Sequence, residues 1–207
     1  MDEEYCSLMA NDTWDLVPLP KGRKLVLCKW VYRTKYALDG SVERLKVRLV
    51  AKGFSQFEWI DYNETFAPVE KMNSIRLVLS LVALHNWEFH QMDVKSAFLH
   101  GDLHEEIYME QPPGYVQDNS ILVSLLKKSL YGLKQAPRDW YAKMDSFLID
   151  NGFSRCHSNP NVYNKKVGNH LIILVLYVDD VILTGSDPKR LTHVKSSLNK
   201  KFEMSYL

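Results

Sequence analysis

Two adjacent aspartates interrupt a hydrophobic run near the carboxyl end of the chain, and this feature constrains its fold and chemistry most. Residues 171–183 otherwise predict a strand, a tight turn and a second strand. Aspartate is unfavourable in strands, and neighbouring like charges repel. Asp179 and Asp180 therefore belong either at a turn exposed to water or at a site where a divalent cation neutralises them.

A third carboxylate ends another predicted hydrophobic strand, at residues 89–94. Taken alone, Asp93 is typical of an ordinary strand end. If the two strands lie side by side, however, Asp93 joins Asp179 and Asp180. Magnesium prefers carboxylate oxygens and leaves coordination positions for phosphates. The three residues would then be a ligand set for two-metal phosphoryl transfer.

Charge is segregated along the chain although the net charge is only +1. Residues 21–56 carry ten basic side chains and two acids, whereas residues 57–118 carry eleven acids and three bases. A cationic lobe followed by an anionic one suits a protein that holds a polyanion with one part and metal cations with the other. The alternative is two solvated surfaces of opposite sign.

The order of predicted elements indicates an α+β fold, an antiparallel sheet with helices on one face. A hairpin turns at Asp39-Gly40, and its second strand presents Arg44, Lys46 and Arg48 on one side while the other side packs. Three helices are predicted: residues 73–87, an almost wholly apolar and so buried helix capped by Asn73 or Ser74; residues 139–151; and a helix that begins at Asp187-Pro188.

The cysteines, the N-terminal residues and the length of the apolar runs favour an intracellular, soluble protein that does not bind a membrane. Cys6, Cys28 and Cys156 are odd in number and lack the spacing of a zinc site or disulfide framework. The acidic start is unlike a signal peptide, and the longest apolar run is too short to span a bilayer. A cytoplasmic particle and the nucleus are not distinguished.

Eight sequence blocks resemble the reverse transcriptases of copia-type LTR retrotransposons, in that family's order. The most diagnostic is Tyr177-Val178-Asp179-Asp180, which matches the Tyr-X-Asp-Asp signature. The other blocks are residues 11–17, 29–32, 48–54, 61–69, 91–99, 111–114 and 130–138.

The resemblance implies the fingers and palm of a polymerase, with the thumb missing. A leader over residues 1–20 would precede mainly fingers over 21–85 and mainly palm over 86–207. Fingers elements would return around 115–160. The implied cofactor is Mg²⁺, as two ions, with Mn²⁺ as an alternative. The implied partners are an RNA or DNA template with primer, deoxynucleoside triphosphates, and the thumb, ribonuclease H and integrase of a polyprotein.

The resemblance also implies functional roles for the residues at matching positions. Asp93, Asp179 and Asp180 match the catalytic, metal-binding carboxylates, with Asp180 more peripheral. Phe98 matches an aromatic gate that excludes the 2′-hydroxyl of ribonucleotides; the alternative is a core phenylalanine. The remaining nucleotide-binding candidates are Tyr131 and Gly132, near the incoming nucleotide, and Lys35, Lys46 and Arg48, for triphosphate or template phosphates.

Three functions compete at this point. The first is an RNA-directed DNA polymerase module. The second is a truncated, inactive element copy that folds and at most binds nucleic acid. The third, a metal-dependent nuclease, shares the carboxylates but explains neither Phe98 nor the cationic hairpin.

Overall fold

The computed structural model describes residues 1–37, 39–117 and 121–206. Leu38, residues 118–120 and Leu207, which fall within the expected fingers and palm ranges, lie outside the described residues. The helices are α1 (Asp2–Ala10), α2 (Met72–His85), α3 (Ala136–Asp150) and α4 (Pro188–Lys201). The strands are β1 (Trp14–Pro18), β2 (Leu25–Val26), β3 (Cys28–Tyr36), β4 (Val42–Ala51), β5 (Glu88–Val94), β6 (Tyr108–Met109), β7 (Leu122–Leu126), β8 (Ser154–Cys156), β9 (Asn159–Val167), β10 (His170–Tyr177), β11 (Asp180–Gly185) and β12 (Met204–Tyr206).

The chain divides into two compact units, each built from two stretches of sequence. The first unit comprises Met1–Phe66 and Phe98–Trp140, and the second comprises Ala67–Ala97 and Tyr141–Leu207. Helix α3 begins in the first unit and continues in the second. The molecule therefore mixes helices and sheets, as expected.

The first unit contains a four-stranded sheet and a separate two-stranded ribbon. The sheet has the order β1-β7-β6-β2, and β3 pairs with β4 to form the ribbon. Its core gathers apolar residues from both stretches: Leu8, Trp14, Val26, Leu49, Met109, Leu126, Leu130 and Leu133. The predicted leader is thus part of this unit, because Leu8 of α1 and Trp14 of β1 are buried there.

The second unit contains a six-stranded sheet in the order β12-β5-β11-β10-β9-β8. Every neighbouring pair in it is antiparallel, which confirms the predicted sheet type. β5 lies between β11 and β12 although it comes much earlier in the chain. This insertion places the end of β5 beside the β10–β11 turn.

Helices cover both faces of this sheet, so the expectation of helices on one face is wrong. Successive residues of a strand point to opposite faces. Val162 packs with Val78 of α2, whereas the neighbouring Tyr163 donates a 2.8 Å hydrogen bond to Asp145 of α3. The continuous burial of residues 172–176 in β10 has the same cause, since a strand covered on both faces has no polar side.

Helix α2 differs from its prediction in its start and in its burial. It begins at Met72, and its N-cap residue Lys71 makes no side-chain capping bond. The hydroxyl of Ser74, an expected cap, instead accepts a 2.7 Å hydrogen bond from Asn159. Leu77 and Leu84 are 62% and 76% exposed, so the helix is not buried all round.

The other two predicted helices follow their sequence signals more closely. α4 begins at Pro188, and the Asp187 carboxylate accepts hydrogen bonds from the Lys189 and Arg190 amides, as a capping aspartate should. Its expected inner residues are all buried: Leu191, Val194, Leu198 and Phe202. α3 begins three residues earlier than predicted because Pro137 is compatible with the first turn of a helix.

The described part of the chain has no helix that is both long enough and apolar enough to cross a membrane. The cysteines Cys6, Cys28 and Cys156 are free thiols.

Candidate functional site

Asp93 and Asp180 face each other across β5 and β11 in the second unit. The Val94 amide donates a 2.8 Å hydrogen bond to the Asp179 carbonyl, so Val94 and Asp179 are the hydrogen-bonded pair. Asp93 and Asp180 are then the adjacent non-hydrogen-bonded pair, whose Cα atoms lie about 4.5 Å apart and whose side chains share one face. The fold therefore brings the two carboxylates together, as the sequence argument required.

Asp179 occupies the tight turn that joins β10 to β11. Tyr177 pairs with Asp180, which leaves Val178 and Asp179 as a two-residue loop. Val178 has a φ of 56°, a left-handed conformation that is unfavourable for a β-branched residue. Such strain costs on the order of 1–3 kcal/mol and occurs at functional sites. The turn fixes Asp179 beside the end of β5 at that cost.

Gln91 belongs to the same site, although the sequence analysis did not single it out. Its side-chain amide donates a 3.4 Å hydrogen bond to the Asp180 carboxylate. Gln91 lies two residues before Asp93 on β5, so both side chains emerge on one face. The position of Gln91 two residues before Asp93 in a predicted strand was the signal that could have identified it.

The paired carboxylates suit a hard divalent cation in their chemistry. Asp93, Asp179 and Asp180 supply only oxygen donors, which Mg²⁺ and Mn²⁺ prefer. Among residues 1–37, 39–117 and 121–206, however, no three His, Cys, Asp or Glu side chains are arranged as a ready metal cage. The donor set fits the ions, and closure of their coordination requires further ligands, such as phosphate oxygens or water.

In the first unit, Phe98, Tyr131 and Arg48 form a contiguous stack. The Phe98 and Tyr131 rings meet edge to face, with centroids 4.6 Å apart. The Arg48 guanidinium lies 4.3 Å from the Tyr131 ring centroid, a cation–π contact. Tyr131 thus contacts both a cation of the ribbon and Phe98, the expected sugar gate.

Gly132 keeps the Tyr131 segment close to the end of β4. The Ala51 amide donates a 2.8 Å hydrogen bond to the Tyr131 carbonyl. Gly132 has a φ of 92°, and a Cβ there would lie 2.1 Å from the Ala51 carbonyl oxygen. No other residue fits this approach, so the structure gives Gly132 a positioning role that the sequence could not specify.

A buried amide network supports the same segment, and sequence reasoning missed it. The Gln56 side chain donates a 3.0 Å hydrogen bond to the Gln135 side chain and accepts a 2.9 Å bond from the Lys134 amide. The Gln135 side chain in turn donates to the Asp61 carbonyl at 3.0 Å. Glutamine in a loop carries no sequence signal of burial, because it is usually exposed.

The expected cations Lys35, Lys46 and Arg48 all lie on the ribbon, and the register confirms their shared cationic side. Lys35 lies opposite Arg44, and Lys46 lies opposite Arg33. Lys35 is about 13 Å along the ribbon from the level of Arg48, so it is not part of the stack on Tyr131. Burial raises the pKa of Glu4 in α1, while the charges of Arg48 and Lys46 oppose that shift.

The opposite side of the ribbon does not pack along its whole length. Leu49 is 1% exposed, but Leu45 is 72% exposed. The expectation that Leu45, Val47 and Leu49 form a packed side therefore holds only at the base of the ribbon.

Comparison with known sequences identifies the family of this chain. The chain belongs to the reverse transcriptase (RNA-dependent DNA polymerase) family, whose sequence profile matches residues 11–207. It is 51% identical to the retrovirus-related Pol polyprotein from transposon TNT 1-94 of Nicotiana tabacum, over 100% of this chain and 16% of that polyprotein. The corresponding polyprotein from transposon RE1 of Arabidopsis thaliana is 41% identical over 99% of this chain and 14% of its own length.

A more distant relative is the transposon Ty1-H Gag-Pol polyprotein of Saccharomyces cerevisiae, 31% identical over 97% of this chain and 11% of its own length. These relatives confirm the resemblance to copia-type elements, and the chain spans only 11% to 16% of their length. A solved telomerase structure from Candida albicans matches with a TM-score of 0.43 and 10% identity, over 100% of this chain and 45% of that one. That similarity is too low to support an argument.

Proposed function

We propose that this chain is the RNA-directed DNA polymerase module of a retrotransposon polyprotein and catalyses nucleotidyl transfer through Asp93, Asp179 and Asp180. The observation that carries the proposal is the pairing of Asp93 with Asp180 directly beside the turn that holds Asp179. A hydrophobic sheet gains no stability from carboxylates at two directly opposed strand positions, since like charges opposite each other are destabilising.

Asp93 and Asp179 would be the main holders of two Mg²⁺ or Mn²⁺ ions, with Asp180 more peripheral. When bound, such ions favour deprotonation of a primer 3′-hydroxyl and neutralise the charge of a triphosphate. The chain itself contributes the positions of the carboxylates that would hold these ions. The strained turn at Val178 fixes Asp179, and the amide of Gln91 orients the Asp180 carboxylate.

The first unit would bind the incoming deoxynucleotide. In this assignment Phe98 is the gate against a 2′-hydroxyl, and Tyr131 with Gly132 forms the neighbouring wall. The edge-to-face contact between the two rings supports the assignment, because it restricts the orientation of Phe98. Arg48, Lys46 and Lys35 would contact triphosphate or template phosphates.

We assign mainly fingers to residues 21–85 and mainly palm to residues 86–207, with fingers elements returning around 115–160. The ribbon and the Tyr131 segment share the first unit, and the three aspartates share the second, which is compatible with such a division of labour. The partners we propose are a primed RNA or DNA template, deoxynucleoside triphosphates, and the thumb, ribonuclease H and integrase of the polyprotein.

Primer extension tests this function. The comparison uses this chain, its Asp179→Asn variant, and a fusion to the segment that follows the matched region in the TNT 1-94 polyprotein. We expect short, Mg²⁺-dependent additions from the chain at high protein concentration, longer products from the fusion, and none from either protein carrying Asp179→Asn. Weak binding with a steep salt dependence should accompany the short additions, since each phosphate contact releases counterions.

Two outcomes would contradict the proposal. Failure of the folded fusion to extend any primer would favour the alternative of an inactive element copy. Cleavage of the nucleic acid without extension would favour a metal-dependent nuclease.

A further inference from the structure

Two backbone segments of the first unit carry the two aromatic rings that the proposed function places beside the nucleotide. We call residues 98–102, which begin with the gate residue Phe98, the gate segment, and residues 128–132 the wall segment. The Ser129 amide donates a 3.2 Å hydrogen bond to the Gly101 carbonyl, and the Gly101 amide donates a 3.0 Å bond to the Phe98 carbonyl. The relative position of the two rings therefore depends on how these segments are held.

Asp139, in the first turn of α3, contacts both segments. Its carboxylate accepts a 2.5 Å hydrogen bond from the Ser129 hydroxyl of the wall segment. Gly101 of the gate segment lies directly against the same helical turn. A Cβ at Gly101 would lie 3.0 Å from the Asp139 Cβ and from the Trp140 amide nitrogen, which is an unusually close approach. The start of α3 is thus a common support for the gate and the wall.

Arg138 fixes the orientation of the Asp139 carboxylate. Its guanidinium donates two hydrogen bonds to one carboxylate oxygen of Asp139, at 2.9 and 2.6 Å, and one to Glu105 at 2.9 Å. It also donates a 2.7 Å bond to the Glu64 carbonyl. The Ser129 hydroxyl uses the other carboxylate oxygen. Both oxygens of Asp139 are therefore engaged, and the carboxylate cannot rotate without losing a bond.

Stability alone does not account for a carboxylate at this position. Asp139 is 5% exposed, Ser129 is 0% exposed, and the adjoining Leu130 belongs to the apolar core. Burial raises the pKa of the Asp139 carboxyl group, although hydrogen bonds from Ser129 and Arg138 oppose that rise. Apolar side chains of similar volume fill buried sites without this desolvation cost. Hydrogen bonds, unlike apolar contacts, specify distance and angle, so the distinctive contribution of Asp139 is geometry.

We propose that Asp139 is a positioning residue that sets the separation of the Phe98 and Tyr131 rings through Ser129 and Gly101, and thereby sharpens discrimination against ribonucleotides. Asp139 itself contacts neither substrate nor metal. The proposal rests on the proposed polymerase function and deepens it. Small displacements matter at such a place, since misplacement by about 1 Å can cost on the order of 100-fold in rate.

Two serines of equal burial provide a matched pair of variants. Ser129→Ala removes the hydroxyl that binds Asp139. Ser124→Ala removes a hydroxyl from β7 that is also 0% exposed but has no hydrogen-bond partner in the part of the chain that the structure describes. Asp139→Asn is a second variant, because an amide keeps the shape of the side chain but offers one acceptor oxygen instead of two. Circular dichroism verifies the folding of each protein.

The first measurement is fluorine NMR of the whole chain labelled with 4-fluorophenylalanine, which needs no catalysis. The chain has eight phenylalanines, and the signal that disappears in Phe98→Leu belongs to the gate ring. The Tyr131 ring, with its centroid 4.6 Å away, shields that signal. We expect the signal to move in Ser129→Ala and Asp139→Asn and to stay in place in Ser124→Ala. A signal that stays in place in all three variants would overturn the proposal.

The second measurement is sugar discrimination in the fusion to the following segment of the TNT 1-94 polyprotein. It is the ratio of kcat/KM for a deoxynucleotide to that for the matching ribonucleotide, which does not depend on the amount of folded enzyme. Ser129→Ala should lower this ratio about threefold to tenfold, as expected for the loss of one hydrogen bond. Ser124→Ala should leave it unchanged. Equal ratios in the two serine variants would overturn the discrimination role.

The two measurements separate this proposal from the one on which it rests. A parent fusion that extends no primer would contradict the polymerase function and the discrimination role with it, while the fluorine signals still decide whether Asp139 positions the rings. A displaced Phe98 signal with an unchanged sugar ratio in an active fusion would leave the polymerase function intact and refute the discrimination role.

Discussion

Asp93 and Asp180 are direct cross-strand neighbours, so two like charges face each other at the end of a hydrophobic sheet. Opposed like charges destabilise an antiparallel pair by about 0.2–1 kcal/mol. The arrangement is therefore a cost to the metal-free fold and an advantage once a divalent cation binds. This difference can be measured without any assay of polymerisation.

Asp180→Asn should stabilise the metal-free protein by about 0.2–1 kcal/mol, because it removes one of the two opposed charges. Millimolar Mg²⁺ should stabilise the parent chain, since a ligand that binds only the folded state raises its free energy of unfolding, and should stabilise the variant less. Urea denaturation with EDTA and with Mg²⁺ measures both effects. Asp150→Asn, at an exposed position, is the control. Two results together would contradict the paired-carboxylate site. Mg²⁺ would leave the free energy of unfolding of the parent chain unchanged, and without metal the parent chain would be at least as stable as the variant.

Val178→Gly should raise the free energy of unfolding by about 1 kcal/mol. The φ of 56° strains valine but not glycine, and the relief of about 1–3 kcal/mol exceeds the entropic cost of glycine, about 0.5–1 kcal/mol. The matched change Val181→Gly, at a fully buried position in the next strand, should instead destabilise by roughly 2 kcal/mol or more. Equal losses in the two variants would show that the turn is not strained.

Phe98→Ala should relax discrimination against ribonucleotides in a fusion that polymerises, because it removes the ring that we propose lies beneath the sugar. Tyr131→Ala should act in the same direction but less, since it removes the edge-to-face partner of Phe98 and the platform of Arg48. Tyr131→Phe retains the ring and serves as the control. The ratio of deoxynucleotide to ribonucleotide incorporation is the measurement, and an unchanged ratio in Phe98→Ala would exclude the gate.

Cys28 should resist alkylation while Cys6 and Cys156 react. Burial, together with the Glu110 carboxylate, raises the pKa of the Cys28 thiol to about 12. At pH 8 only about one thiol in ten thousand would then be the reactive thiolate. Hydrogen bonding to Ser158 lowers the pKa of Cys156, and Cys6 is exposed. Mass spectrometry after brief iodoacetamide treatment counts the modified sites; early labelling of Cys28 in folded protein would contradict this environment.

Features fixed by nearby residues were predictable from sequence. The start of α4 followed from Asp187 and Pro188, because a cap and a first-turn proline act within one helical turn. A tight turn within residues 171–183 followed from aspartates that a strand disfavours, but the turn consists of Val178 and Asp179, and Asp180 begins β11. The pairing of Asp93 with Asp180 could be predicted only conditionally. A shared metal site requires that the strand ending at Asp93 lies beside the strand that contains Asp180.

Features decided by tertiary contacts were not predictable. Periodicity shows that α2 has apolar residues, but the exposure of Leu84 depends on how few elements cover that helix. The placement of α2 and α3 on opposite faces was similarly hidden, although the unbroken apolar run of β10 was a signal of it. The closeness of Gly132 to Ala51 depends on backbone geometry that no residue pattern encodes.

The insertion of β5 between β11 and β12 also has a consequence for how the protein is made. Gln91 of β5 and its partner Asp180 are separated by 89 residues, so the site joins distant parts of the chain. The ribosome synthesises β5 well before β11, and long-range strand pairing is slow to form. During synthesis β5 must wait with both edges unpaired until β11 and β12 emerge. The carboxylates are therefore brought together late, and a nascent chain that stops before β11 exposes the unpaired edges of β5, which can pair with other chains, but lacks the Asp93–Asp180 pair.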